Sequence, residues 1–215
     1  MKKISLILLT AIMIFCLAAC AENSPEAPAE NAVCATVNGE AVTKEELDYF
    51  RTRCRADIIN EFAAKYGVKD FSDFWERDFD GTTPAAELEK AALTQAAEAK
   101  IKLVMMRENG VYDDISFAGL KKKAEEYNKE HENAQGTVGI TSVDMNGFYT
   151  YYISTGEMEL KNVLAEGELK PTQAELDAAA KAHPEFSENG LVSAVVSEKY
   201  DALLKEKIAS AVISD

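Results

Sequence analysis

Apolar residues recur at helical spacing over most of this chain. The clearest stripe is Leu47, Phe50, Cys54, Ile58 and Phe62, whose steps of three and four turn one face of a helix toward a core. Asn38-Gly39 precedes it, a dipeptide suited to a two-residue hairpin because both turn positions take positive φ. Val37 and Val42 flank that turn as short strands, and Thr43 opens the helix. Its hydroxyl can cap the first free amides while Glu46, three residues on, reaches back in a capping box. The helix should run from Lys44 to Tyr66 and stop at Gly67. A hairpin this short cannot stand alone, so a distant segment must pair with its open edge.

The next stretch, KDFSDFWERDFDGTT, holds Phe71, Phe74, Trp75 and Phe79, four of the chain's aromatics. It reads as a short helix packed on the core, or as an aromatic patch at the surface for apolar peptide. From Pro84 to Asn109 the stripe Leu88, Ala92, Ala96, Ala99, Leu103 and Met106 predicts a long helix. Its alanines let a partner approach closely, and Glu98 and Lys102 form an i,i+4 pair. Gly110 stops it. Ser116 caps a third helix, Phe117 to Glu132, with Leu120, Ala124 and Tyr127 inward. NAQGTVGIT then links to a fourth, Val143 to Glu166, which Gly147 and Gly156 weaken.

That fourth helix carries Phe148, Tyr149, Tyr151, Tyr152, Ile153, Met158, Leu160, Val163 and Leu164 on more than one side. Such a spread fits core tyrosines or a tyrosine-lined ligand surface. Thr172 and Glu175 make a second capping box for a short helix that His183-Pro184 stops. A last helix, Val192 to Ala209, turns Val195, Val196, Tyr200, Leu203, Leu204 and Ile208 inward. The closing SAVISD reads as a strand and is the candidate partner for the hairpin edge. The fold class is therefore mainly α, a multi-helix domain with a small β-hairpin paired to a C-terminal strand.

The N-terminal end changes the picture. Lys2 and Lys3 precede an apolar run from Ile4 to Leu17, of signal-peptide length and short for a membrane span. Leu17-Ala18-Ala19-Cys20 resembles a bacterial lipobox, with Cys20 as the lipidated residue; ordinary secretory cleavage near Ala19 is the alternative. Residues 1–19 are then a leader and 20–33, rich in Ala, Pro, Glu and Asn, a disordered tether. Residues 34–215 remain as one domain, anchored to the outside of the bacterial cell membrane through lipid only.

Losing Lys2 and Lys3 takes the formal net charge from −14 to −16. So acidic a body is repelled by nucleic acid and by anionic lipid. Cys34 and Cys54, the two cysteines left to the domain, form a disulfide or serve as two small buried hydrophobes. Glu76, Asp78, Asp80, Gly81 and Glu87 fall on a calcium-loop template. Glu76 in first place, Thr83 in eighth and Pro84 in ninth depart from it, which favours a plain acidic turn and no metal. His131 and His183 read as exposed. No nucleophile elbow, phosphate loop or zinc spacing is present in the sequence, so neither catalytic residues nor a cofactor are expected.

With these elements placed, LAAC, VNGEAVTKEEL, DGTTPAAELEKAALTQAAEAKIKLVMMRENGV, ISFAGLKKKAEEYNKEH, KPTQAELDAAAKAHPEF and EKYDALLKEKIASAVIS resemble, in that order, the SurA N-terminal-domain and PrsA-like foldase family of extracytoplasmic chaperones. The resemblance covers most of residues 34–215 and implies a SurA- or trigger-factor-like chaperone frame. Many members insert a parvulin-type prolyl isomerase domain where only eight residues separate Phe186 from Val195 here. Eight residues cannot make a domain, so isomerase activity should be absent.

The function expected is a chaperone-like lipoprotein that binds unfolded or partly folded secreted polypeptides. Its candidate contacts are Phe74, Trp75, Met105, Met106, Phe148, Tyr149, Tyr151 and Tyr152. The negative charge should favour basic clients, and a homodimer is possible. The alternative is a non-catalytic envelope module for a small ligand or a partner protein.

Overall fold

A computed structural model describes residues 32–132 and 142–214. The proposed leader, Cys20, nearly all of the tether and the linker after Glu132 lie outside these residues. Within them the chain is mainly helical, with six helices and a three-stranded antiparallel sheet. The order is β1 (Val33–Val37), β2 (Glu40–Thr43), α1 (Lys44–Tyr66), α2 (Pro84–Glu108), α3 (Phe117–Glu132), α4 (Met145–Ala165), α5 (Gln173–Ala182), α6 (Glu188–Ala209) and β3 (Ile213–Ser214).

The hairpin turns at Asn38 and Gly39, with φ of 51° and 84°, the left-handed pair that a type I′ turn requires. β1 lies between β2 and β3, and Val37 faces Ile213 across the second pairing. Asn38 clamps the end of that pairing. Its amide donates to the Val212 carbonyl at 2.9 Å, and its side-chain oxygen accepts from the Val212 amide at 2.9 Å. The two ends of the domain therefore meet, as the hairpin's bare edge demanded.

Thr43 caps α1 by accepting from the Glu46 amide, and the Thr43 backbone amide in turn helps to hold the Glu46 carboxylate. The closer partner of Glu46 lies elsewhere. The Glu46 side chain turns inward and meets Lys100 of α2 at 2.9 Å, with both side chains almost wholly buried. The stripe Leu47, Phe50, Cys54, Ile58 and Phe62 is buried along its whole length, and so is the alanine-rich stripe of α2 against it.

Two apolar clusters result. The larger joins the sheet, the N-terminal half of α1, most of α2 and the inner faces of α3, α4 and α6. The smaller sits toward the C-terminal end of α1, where Phe62, Phe74 and Leu88 pack together. Residues 72–76 form turns instead of the expected short helix; Asp73 takes φ of 53°, which breaks a helical run. Phe74 is buried, Trp75 half-buried and Phe71 exposed.

Further on, the acidic stretch after Trp75 folds as a tight turn. Asp78 accepts from the Gly81 amide, Glu87 accepts from the Thr82 hydroxyl, and α2 starts at Pro84. Among the described residues no group of three or more His, Cys, Asp or Glu side chains is placed to hold a metal. Cys34 and Cys54 are free thiols belonging to different clusters. α6 begins four residues earlier than the apolar spacing suggests, because Ser187 accepts from the Gly190 amide and caps it there. The stretch between Phe186 and Val195 is accordingly the first turns of that helix. His131 is half-buried, its ring stacked on Tyr127 at 4.0 Å, and His183 is exposed and stacked on Phe186.

Candidate functional site: a groove along the fourth helix

α4 walls a concave surface along its length. Asp144 caps it by accepting from the Gly147 amide, and Phe148, Tyr149, Tyr152, Leu160 and Leu164 anchor its inner side in the core. Gly156 lets it sit close: a Cβ there would lie 2.7 Å from the Met106 sulfur and 2.7 Å from the Tyr112 ring. Tyr112 stacks on Tyr152 at 4.1 Å and donates its hydroxyl to the Tyr152 carbonyl at 2.9 Å. Burial pushes the Tyr112 hydroxyl up to about 12, so it stays a protonated donor at neutral pH.

Two hollows run along the outer flank of α4. One, of about 380 Å³, lies against α1 and α2 over Phe50, Ala99 and Ile153. The other, of about 570 Å³, lies against the first half of α6, between Met158, Val192 and Val196. Ser154 and Glu157 line both, so the two form one groove. Its lining mixes apolar patches with short polar side chains, including Asn162, Asn189, Ser193 and Ser197. Met158, 62% exposed, projects at its edge.

The charges of the groove are held in place. Lys102 bridges Glu98 at 3.3 Å and Glu157 at 3.2 Å. Glu157 also accepts from the Tyr200 hydroxyl at 3.0 Å, and burial together with that carboxylate raises the Tyr200 pKa. Lys161 lies over the Tyr200 ring at 4.7 Å. At the other end Arg53 donates to the Tyr49 hydroxyl, the Asn146 side-chain oxygen and the Thr150 hydroxyl at 2.9, 2.7 and 3.2 Å.

A further hollow, of about 480 Å³, opens between α1, α3 and the start of α4. Tyr49, Phe117, Val143 and Met145 are among its walls, and Glu45, Asp48 and Glu125 stand at it.

Of the eight contact residues expected from sequence, Phe74, Met105, Met106, Phe148, Tyr149 and Tyr152 are buried. They form the core instead of a surface, since each occupies the inward stripe of its segment. Only the edge of Tyr149 lines the groove. Trp75 sits under the Arg55 guanidinium at 4.1 Å in the smaller cluster, and Tyr151 is 54% exposed. Trp75 and Tyr151 belong to different parts of the fold.

Apart from Tyr149, the residues that build the groove carry no site signal in the sequence. Glu98 and Lys102 were legible as a helix pair, but their meeting with Glu157 is tertiary. Serines and asparagines on the outer sides of α4 and α6 leave no periodic signal. Comparison with protein-family models, with curated proteins and with solved structures finds no match.

Proposed function

We propose that this protein is a non-catalytic, chaperone-like lipoprotein that holds unfolded or partly folded secreted polypeptides in the groove along α4. The observation that carries the proposal is the joined groove, with hollows of about 380 and 570 Å³ meeting at Ser154 and Glu157. Apolar patches with adaptable short polar neighbours suit a ligand of no fixed sequence. The resemblance to extracytoplasmic chaperones and the lipobox-like LAAC point the same way. In this proposal Cys20 carries the lipid and the SurA-like frame serves as the binding body. Prolyl isomerase activity is absent from it.

The test is suppression of light scattering from a denatured client by the whole chain at near-stoichiometric ratio. Wild type should suppress it, and Ser154→Trp, which fills the junction of the two hollows, should lose at least half of the effect. Absence of suppression, or a Ser154→Trp protein as effective as wild type, contradicts the proposal. A second function, binding of a small apolar ligand, is favoured by the 480 Å³ hollow beside Phe117 and Met145. Protection by an environment-sensitive apolar dye that Ala124→Trp abolishes, with no client effect, would favour that one.

A further inference from the structure

We propose that the α4 groove selects extended segments bearing two carboxylates about five to seven residues apart, with apolar side chains between them. This rests on the polypeptide-binding function above and names the chemistry of its client. The chain as a whole is strongly acidic, with 37 Asp and Glu against 23 Lys and Arg. Its groove runs the other way. Three cations line it, Arg53, Lys102 and Lys161, against two carboxylates, Glu98 and Glu157.

Both carboxylates are already engaged. Lys102 bridges them, and Glu157 takes the Tyr200 hydroxyl as well. The two outer cations have no carboxylate partner among the described residues. Arg53 is exposed and bonded through Nη1 only to neutral oxygens. Asp144, the carboxylate beside Tyr49, caps α4 with its Oδ1. Lys161 meets an aromatic ring. Each therefore keeps donors for an incoming anion, Arg53 in a fork that fits a carboxylate.

Their separation sets the spacing. Arg53 Nη1 is held between Asn146 and Thr150, at 2.7 and 3.2 Å, and Lys161 is eleven to fifteen residues further along the same helix. At 1.5 Å per residue that is about 16–22 Å, which an extended chain covers in about five to seven residues at 3.3 Å each. Between the two lie Ile153, Met158 and Val196, an apolar stretch for the residues in between. A polyacid without those apolar residues gains little, because the surrounding surface repels it.

The test is a fluorescence-anisotropy titration of the whole chain with two sets of three end-blocked, labelled peptides. They share an apolar centre, of four residues in one set and six in another, and carry Glu, Gln or Lys at both flanking positions. In at least one set the Glu peptide should bind tightest, by roughly twofold to fivefold per charge over the Gln peptide, and the margin should vanish near 1 M salt, where screening reaches about 3 Å. Arg53→Gln and Lys161→Gln should each remove one charge's share for the Glu peptide and leave the Gln peptide unchanged. Equal or tighter binding of the Gln or Lys peptide in both sets overturns the selection while leaving polypeptide binding in place. So do variants that weaken all the peptides alike. Failure of every peptide to bind overturns both.

Discussion

At the scale of single residues, the ion pair between Glu46 and Lys100 has the largest consequence. Both side chains are within 3% of complete burial and 2.9 Å apart. Burial raises the Glu46 carboxyl above its ordinary value, while Lys100 draws it back. Removing one partner leaves an uncompensated charge in the core, so Glu46→Ala should lose about 3–5 kcal/mol in chemical denaturation. Glu46→Leu combined with Lys100→Met should recover most of that loss, since a buried pair contributes little net stability over well-packed apolar residues. A double variant as unstable as the single one would show that the pair is needed as a pair.

This feature is only half legible in the sequence. Thr43-x-x-Glu46 has the form of a capping box, and Thr172-x-x-Glu175 shares it and closes one, with both bonds made. The difference is position. Glu175 stands at the surface beside Lys199, whereas Glu46 faces a lysine that the α2 alanine stripe brings near. No local pattern carries that.

At the scale of elements, spacing and caps foretold most of the outcome. The stripes of α1 and α2, the Gly67 and Gly110 stops, and the pairing of β3 with the hairpin all follow from residues at known offsets. What spacing missed was the turn at residues 72–76 and the early start of α6, where single side chains and a left-handed Asp73 decide. The closing strand gives a direct prediction. Only two residues pair, but the Asn38 clamp on Val212 adds two hydrogen bonds. Deleting residues 212–215 should lower the thermal midpoint by a few degrees, since each kcal/mol is worth about 2–4 °C at this size. It should also speed amide exchange at Asn38, while exchange in the middle of α2 keeps its order of protection. An unchanged midpoint and an unchanged Asn38 amide would show that the strand contributes nothing to closure.

At the scale of the whole molecule, charge governs behaviour. Several carboxylates are held below their ordinary values: Asp48 by Lys44 and Arg51, Glu40 by Arg107, Asp114 by Ser116, and Glu175 by Thr172 and Lys199. The stability each contributes is present above its unfolded value, 3.8 for Asp and 4.5 for Glu, and is lost as pH falls through the lower folded value. Glu46 acts in the opposite sense, because a raised carboxyl weakens the fold as pH rises past 4.5. With five such groups, Asp70 held down by Ser72 included, against one, the midpoint should fall steadily as pH drops below about 4.5. A midpoint that rises over that range in thermal scans would contradict this assignment.

The groove is the part of the molecule that the sequence showed least. The eight expected contacts followed large side chains, and packing takes large side chains for the core; the surface left over is built from serines, asparagines and a few charges. The most direct measurement is amide hydrogen exchange of the whole chain with and without a saturating unfolded client. The account predicts added protection in residues 150–162 of α4 and 189–197 of α6, with none around Trp75. Protection confined to the aromatic turn near Trp75, or to the hollow beside Phe117, would contradict it.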